Sequence, residues 1–276
     1  MDFTGILLAG GKSTRFGINK IKLEFEGIPL LADQIIKMGF FCTEILISSS
    51  SKNFRYISQV IKKLGSYKKT LLTSGSVKTK STSRSDNNTS YGLPEPEWKN
   101  PITKIIIDDE ETRLDGNSVG PLAGIYSGLK EAKNKNCLVL ASDMPFVSYR
   151  VLRLLTRTSE ETKKCAVIIK NPKGIEALCG IYSKQYIKQM RDNIRNGVYK
   201  ISEVLGDPEV EWIRSRELKG EKIDIYNFFN INTAGDIENF ERIRNKGIAG
   251  VDLDRLKGGS RNLWEAFFYR GTDRKF

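Results

Sequence analysis

The chain contains no histidine. That absence removes imidazole as a base and as a metal ligand, so a Ser-His or Cys-His nucleophile is excluded. Cysteine is scarce: Cys42, Cys137, Cys165 and Cys179 lie far apart, with no C-x-x-C pair. A zinc site would have to gather four thiolates from distant segments, so these side chains are expected to be buried as small apolar residues. No apolar run approaches the roughly 18–20 residues that a membrane-spanning helix needs. The short apolar run near the N-terminus follows no basic region, which argues against a secretory signal and makes the cytoplasm the expected location. Any metal should therefore be a hard ion held by carboxylates, magnesium before a transition metal.

Positive charge, by contrast, is in excess, with 45 Lys and Arg against 33 Asp and Glu and a formal net charge of +12. Such a balance asks for an acidic partner. The basic residues are scattered, however, and no helix-turn-helix, zinc finger or basic-aromatic sheet motif accompanies them, so nucleic acid is not the expected partner. A nucleoside triphosphate and a phosphorylated acceptor satisfy the same charge. Residues 66–100 form the densest polar tract, rich in Ser, Thr, Asn and Lys, and read as a solvated surface insertion.

Outside that tract, short apolar runs alternate with helix-like segments. Strands are expected at Gly5–Ala9, Glu44–Ser48, Thr103–Ile107, Asn136–Ser142, Cys165–Lys170, Ala177–Tyr182 and Lys222–Asn230. Helical spacing occupies Pro29–Gly39, Lys52–Leu64, Pro121–Lys133, Tyr149–Thr158, Lys184–Asn196 and Ala234–Arg244. This alternation predicts an α/β fold, a Rossmann-like three-layer sandwich with a mainly parallel sheet and helices on both faces. The expected domain spans 1–246 and carries the insertion. Residues 247–276 form a C-terminal extension, where Leu263, Trp264, Phe267 and Phe268 could make one apolar helical face.

The first strand runs into Gly10-Gly11-Lys12-Ser13-Thr14-Arg15-Phe16-Gly17. Glycines allow close backbone approach, and Lys12, Arg15 and Lys20 add charge, which suits phosphates. The glycine spacing does not match the dinucleotide fingerprint, and Ile6 stands where a Walker loop needs its first glycine. Further strand ends bring carboxylates: Asp108 and Asp109 follow one, and Asp143 follows another. Parallel strands would place these groups and the loop in one crevice, the arrangement of a metal-bridged nucleotide site. Taken singly, Asp143 reads equally as a turn residue, and Asp108 to Glu111 as a solvated acidic run.

Leu8 to Gly17 with Asn19-Lys20 and Gly27-Ile28-Pro29-Leu30 resembles the opening of the molybdenum cofactor guanylyltransferases, within the glycosyltransferase-A-like nucleotidyltransferases. Gly120-Pro121-Leu122-Ala123-Gly124-Ile125, Ser142-Asp143-Met144-Pro145-Phe146 and Phe228-Phe229-Asn230-Ile231-Asn232-Thr233 are similar to three further signatures, in the same order. The resemblance implies transfer of GMP from GTP to molybdopterin with Mg²⁺ as cofactor, and a molybdoenzyme or cofactor-biosynthesis protein as partner. It implies nucleotide contacts from Leu8, Ala9, Gly10, Gly11, Lys20, Ser48 and Asp109, with Asp108 held in reserve for Asp109. Asp143 would bind both nucleotide and metal, and Arg15, Lys20 and Asp143 would carry the catalysis. Asn230 and Asn232 are candidates for acceptor binding, against an equally good reading as turn and N-cap residues. Relatives using CTP, a sugar phosphate or cobinamide phosphate, or a non-catalytic module that delivers cofactor, remain open alternatives.

Overall fold

The structure, a computed structural model, describes residues 1–10, 20–25, 27–73, 97–114, 117–206, 208–233 and 235–236. A single large sheet organises them. Its strands are β1 (Phe3–Leu8), β2 (Cys42–Ser48), β3 (Ile102–Ile106), β4 (Asn136–Ala141), β5 (Ala166–Asn171), β6 (Gly174–Ser183) and β7 (Val210–Arg214). They lie in the order β7-β5-β6-β4-β1-β2-β3. Every neighbour pair is parallel except those of β6, which runs antiparallel to both β4 and β5. The mainly parallel sheet expected from the sequence is present, with one reversed strand supplied by a hairpin.

Alternation along the strands divides the core in two. Leu7 of β1, Leu138 and Leu140 of β4, and Val167 and Ile169 of β5 pack on one face. They meet α1 (Leu30–Met38), α2 (Phe54–Lys62) and α5 (Tyr149–Glu161). Ile6, Leu8, Val139 and Ile168 point to the other face, against α4 (Pro121–Glu131) and α6 (Ile187–Arg195). Strands apolar on both sides can be buried only between two helical layers, which gives the three-layer architecture. Cys42, Cys137 and Cys179 are buried and free, and burial raises all three thiols, Cys137 to about 12, so they serve as packing rather than as nucleophiles.

One expectation requires correction. Lys222–Asn230 is not a strand: Lys222 adopts φ 54° and the chain continues into a 3-10 turn, Ile225–Phe228. Asp224 Oδ1 accepts the Tyr226 amide, and Asn227 Nδ2 donates to the Asp224 carbonyl, so side chains capture groups that a ladder would have used. The missing sheet position is taken by β7, whose Val-Glu-Trp-Ile-Arg run pairs in parallel with β5. The N-terminal border of the insertion carries regular structure at the surface. Residues 66–73 belong to α3 (Leu64–Thr73), and Trp98 stacks edge-on with Phe40 at 5.6 Å while Lys68 lies 4.1 Å above the Trp98 ring. Residues 74–96, the helix expected beyond Asp236 and the extension from 247 lie outside the described residues.

Candidate nucleotide site

The strands end level with one another. Leu8 is in register with Ser48 on one side and Ala141 on the other, and Ser48 with Ile106. Three further hydrogen bonds carry the pairing past the ladder: Ala9 N to Ser48 O (2.8 Å), Ser142 N to Leu8 O (3.0 Å) and Ser49 N to Ile106 O (3.1 Å). The segments that leave this edge are therefore held side by side when they become loops. They are the start of the glycine loop at Gly10, the Asp108-Asp109 pair and Asp143.

Leu8 and Ala9 are buried and Gly10 is exposed at the rim. A Cβ added at Gly10 would meet the backbone of Ser48 and Ser49 at 3.8 Å, an ordinary contact, so glycine here leaves the outer side of the loop open rather than relieving a clash. Gly11, Lys12 and Arg15 lie outside the described residues. Lys20 opens a 3-10 turn, Lys20–Lys22, whose side-chain anchor is Ile21, buried in the same cluster as Ala9, Ala141 and Met144. The side chain of Lys20 itself is outside the described residues.

The two aspartates after β3 have different partners. Ser48 Oγ donates to Asp108 Oδ1 at 2.9 Å, joining the ends of β2 and β3 across the site. Asp109 instead accepts from Lys130 of α4 (2.5 Å) and from the Glu111 amide (3.0 Å), and its own amide donates to Ser127 Oγ. The Lys130 hydrogen bond and then the Glu111 amide hold the Asp109 carboxyl below its usual range. Asp109, the residue expected at the nucleotide, thus fastens its loop to α4, while Asp108 is the one linked to Ser48.

Helix α4 begins at this same edge. Gly120 turns with φ 86° and Pro121 occupies the first helical turn, where its missing amide hydrogen costs nothing. Gly124 is the close-approach point: an added Cβ would lie 2.7 Å from Ser48 Oγ and 2.8 Å from Leu8 Cδ2. Gly124→Ala should therefore lose up to about 2 kcal/mol of stability, because overpacking of about 1–3 kcal/mol is set against a helix-propensity gain of about 1 kcal/mol. Gly65→Ala in α3, with nothing within 4 Å of its added Cβ, should be neutral or stabilising. Urea midpoints for the two proteins check the contrast.

Asp143 follows β4 and is partly exposed. Its carbonyl accepts the Ile231 amide at 2.9 Å, which seats the Phe228–Thr233 segment on the Asp143 turn, and Phe229 packs on Phe146 with ring centroids 5.9 Å apart. Asn230 and Asn232 therefore lie on the segment attached to Asp143. Their neighbour Thr233 makes a reciprocal cap with Asp236: the Thr233 amide reaches Asp236 Oδ2 at 2.7 Å and the Asp236 amide reaches Thr233 Oγ1 at 3.0 Å. The Asn232 amide also donates to Asp236 Oδ2. The capping side chains of this stretch are those of Thr233 and Asp236.

Among the described residues, no three carboxylates, thiols or imidazoles gather closely enough to hold a metal ion. Isolated carboxylates at this sheet edge fit a hard divalent cation that takes its remaining oxygens from a substrate and water, and do not fit a closed protein cage. Also among the described residues, no helix is long and apolar enough to cross a membrane.

The profile of the MobA-like NTP transferase domain matches residues 5–68 and 105–209, with the break falling across the insertion. A probable molybdenum cofactor guanylyltransferase of Clostridium perfringens is 28% identical over 246 residues, covering 86% of this chain and 94% of that protein. One from Pyrococcus horikoshii is 24% identical over 242 residues, covering 86% and 98%. The crystal structure of molybdopterin-guanine dinucleotide biosynthesis protein A from Archaeoglobus fulgidus superposes with a TM-score of 0.61 at 23% identity, covering 88% of this chain and all of the other, and so shares the fold. The chain belongs to the MobA-like NTP transferase family and is a nucleotidyltransferase.

Proposed function

We propose that the protein transfers the GMP unit of GTP to the terminal phosphate of molybdopterin, releasing pyrophosphate and forming the guanine dinucleotide cofactor. The observation that carries this reading is the meeting at one sheet edge of Gly10, Ser48 with Asp108, and Asp143 with the Ile231 segment. Similarity over most of their length to proteins named as molybdenum cofactor guanylyltransferases supplies the substrate class.

In this reading the Leu8–Gly11 backbone lies along the nucleotide, and Arg15 and Lys20 offset charge that moves onto the departing pyrophosphate. Asp108, through its link to Ser48, is the better candidate than Asp109 for the contact to the sugar or base. Asp143 holds Mg²⁺, which when bound screens the phosphates and polarises the α-phosphorus. The acceptor phosphate oxygen forms a new bond to that phosphorus as the bond to the bridging α,β-oxygen breaks, and the electron pair leaves with pyrophosphate. A phosphate oxygen is already ionised at neutral pH, so a chain without histidine needs no general base for this step. Alignment and charge stabilisation suffice. Asn230 and Asn232, on the segment fastened to Asp143, lie where an acceptor would approach. A cytoplasmic setting, with handover to a molybdoenzyme or another cofactor-biosynthesis protein, completes the reading.

Pyrophosphate release measured with each of the four common triphosphates, with and without molybdopterin, tests it. Release should require molybdopterin and favour GTP. Release with CTP in preference, or release that ignores the acceptor, overturns the assignment.

A further inference from the structure

Helix α1 is buried along its whole length, yet it carries Asp33, Gln34 and Lys37, all with no more than 4% exposure. Buried polar side chains cost stability unless they are matched, and a buried ion pair is often no better than apolar packing. Asp33 and Lys37 pair within the helix at 2.7 Å. Packing alone therefore does not explain why a core helix keeps them.

Their contacts outside the helix lead to one place. Gln34 Nε2 donates to the carbonyl of Met144 at 2.7 Å, and Lys37 Nζ approaches the carbonyl of Pro145 at 3.4 Å. The Ile231 amide takes the carbonyl of Asp143. Three successive carbonyls, those of Asp143, Met144 and Pro145, are thus each held by a donor from a distant part of the chain. Fixing three consecutive peptide groups fixes the torsions of Met144 and Pro145, and it holds in place the peptide plane that begins at the Asp143 Cα, from which the carboxylate side chain departs. Met144 and Phe146 are themselves buried, so the turn is held by packing as well.

We propose that Gln34 and Lys37 are positioning residues that aim the Asp143 carboxylate by gripping the two carbonyls after it, an inference that rests on the metal-binding role assigned to Asp143 above. Asp33 pairs with Lys37 at 2.7 Å and holds its amine in place. Gln34 Oε1 is buried without a hydrogen-bond partner, so this helix retains an unsatisfied atom in order to present the amide donor.

That orphan makes a clean variant available. Gln34→Met keeps the side-chain length, removes the unsatisfied oxygen and releases the Met144 carbonyl, so the melting temperature should change little. Affinity for Mn²⁺·GTP, measured by calorimetry, should fall about tenfold, the scale on which groups supporting a metal ligand act. Affinity for GTP without metal should stay within about twofold of the parent. The double variant Asp33→Leu/Lys37→Met, which exchanges a buried ion pair for apolar packing while freeing the Pro145 carbonyl, should behave alike and serves if the first fails to fold. Unchanged Mn²⁺·GTP affinity in the folded variants overturns the proposal, as does equal weakening with and without metal. If the parent binds Mn²⁺·GTP but transfers no GMP to molybdopterin, the substrate assignment fails while the positioning role stands. If it binds no Mn²⁺·GTP, both fail.

Discussion

Asp143→Asn should lower the rate of GMP transfer by about 100- to 1,000-fold, the usual scale when a charged group serving the transition state is removed. The substitution keeps shape and hydrogen-bonding capacity and deletes only the negative charge. The turn that carries this residue is held through backbone carbonyls, by Ile231, Gln34 and Lys37, and none of those bonds uses the carboxylate. The far-ultraviolet spectrum should accordingly stay near that of the parent, since the turn keeps all three of these bonds. Raising the concentration of divalent cation should restore part of the lost rate, because the variant binds the cation more weakly. A variant with parental activity at low Mg²⁺ would remove Asp143 from the metal site.

The same turn shows how far sequence reading reaches. Short apolar runs in succession with helical spacing announced the α/β sandwich, because strands apolar on both faces have few other ways to be buried. Residues directly after strands were legible as site candidates for the related reason that parallel strands share an edge. Register, however, is a three-dimensional property: nothing in Asp108-Asp109 says which carboxylate meets Ser48 and which meets Lys130. The error at Lys222–Asn230 has a local cause, since apolar residues there suggest extension while Asp224 takes the Tyr226 amide and Asn227 donates to the Asp224 carbonyl, which bends the chain. Strand β7 escaped notice because five residues with two charges carry a weak pattern, and its place depends on β5 as partner. Gln34 and Lys37 left one trace, polar residues inside the apolar periodicity of α1, whose meaning appears only with the carbonyls that they reach.

Lys20→Ala should cost about 100-fold in GMP transfer if Lys20 faces the triphosphate, with little loss of stability. The backbone position of Lys20 is set by Ile21, which is buried beside α1 in the same cluster as Ala9, Ala141 and Met144, so truncating the preceding side chain leaves the anchor in place. A lysine that offsets charge on the departing pyrophosphate acts chiefly in the transition state, and its loss should lower kcat more than it raises KM for GTP. A lysine that only attracts the triphosphate would give the opposite split and a deficit that grows as salt is lowered, because only the parent gains from weaker screening. Lys20→Arg separates charge from shape: a guanidinium restores the charge but spreads it over a planar fork, so recovery should be partial. Full activity of Lys20→Ala with purified acceptor and GTP would take Lys20 out of the reaction and leave the cationic half of the site to Arg15.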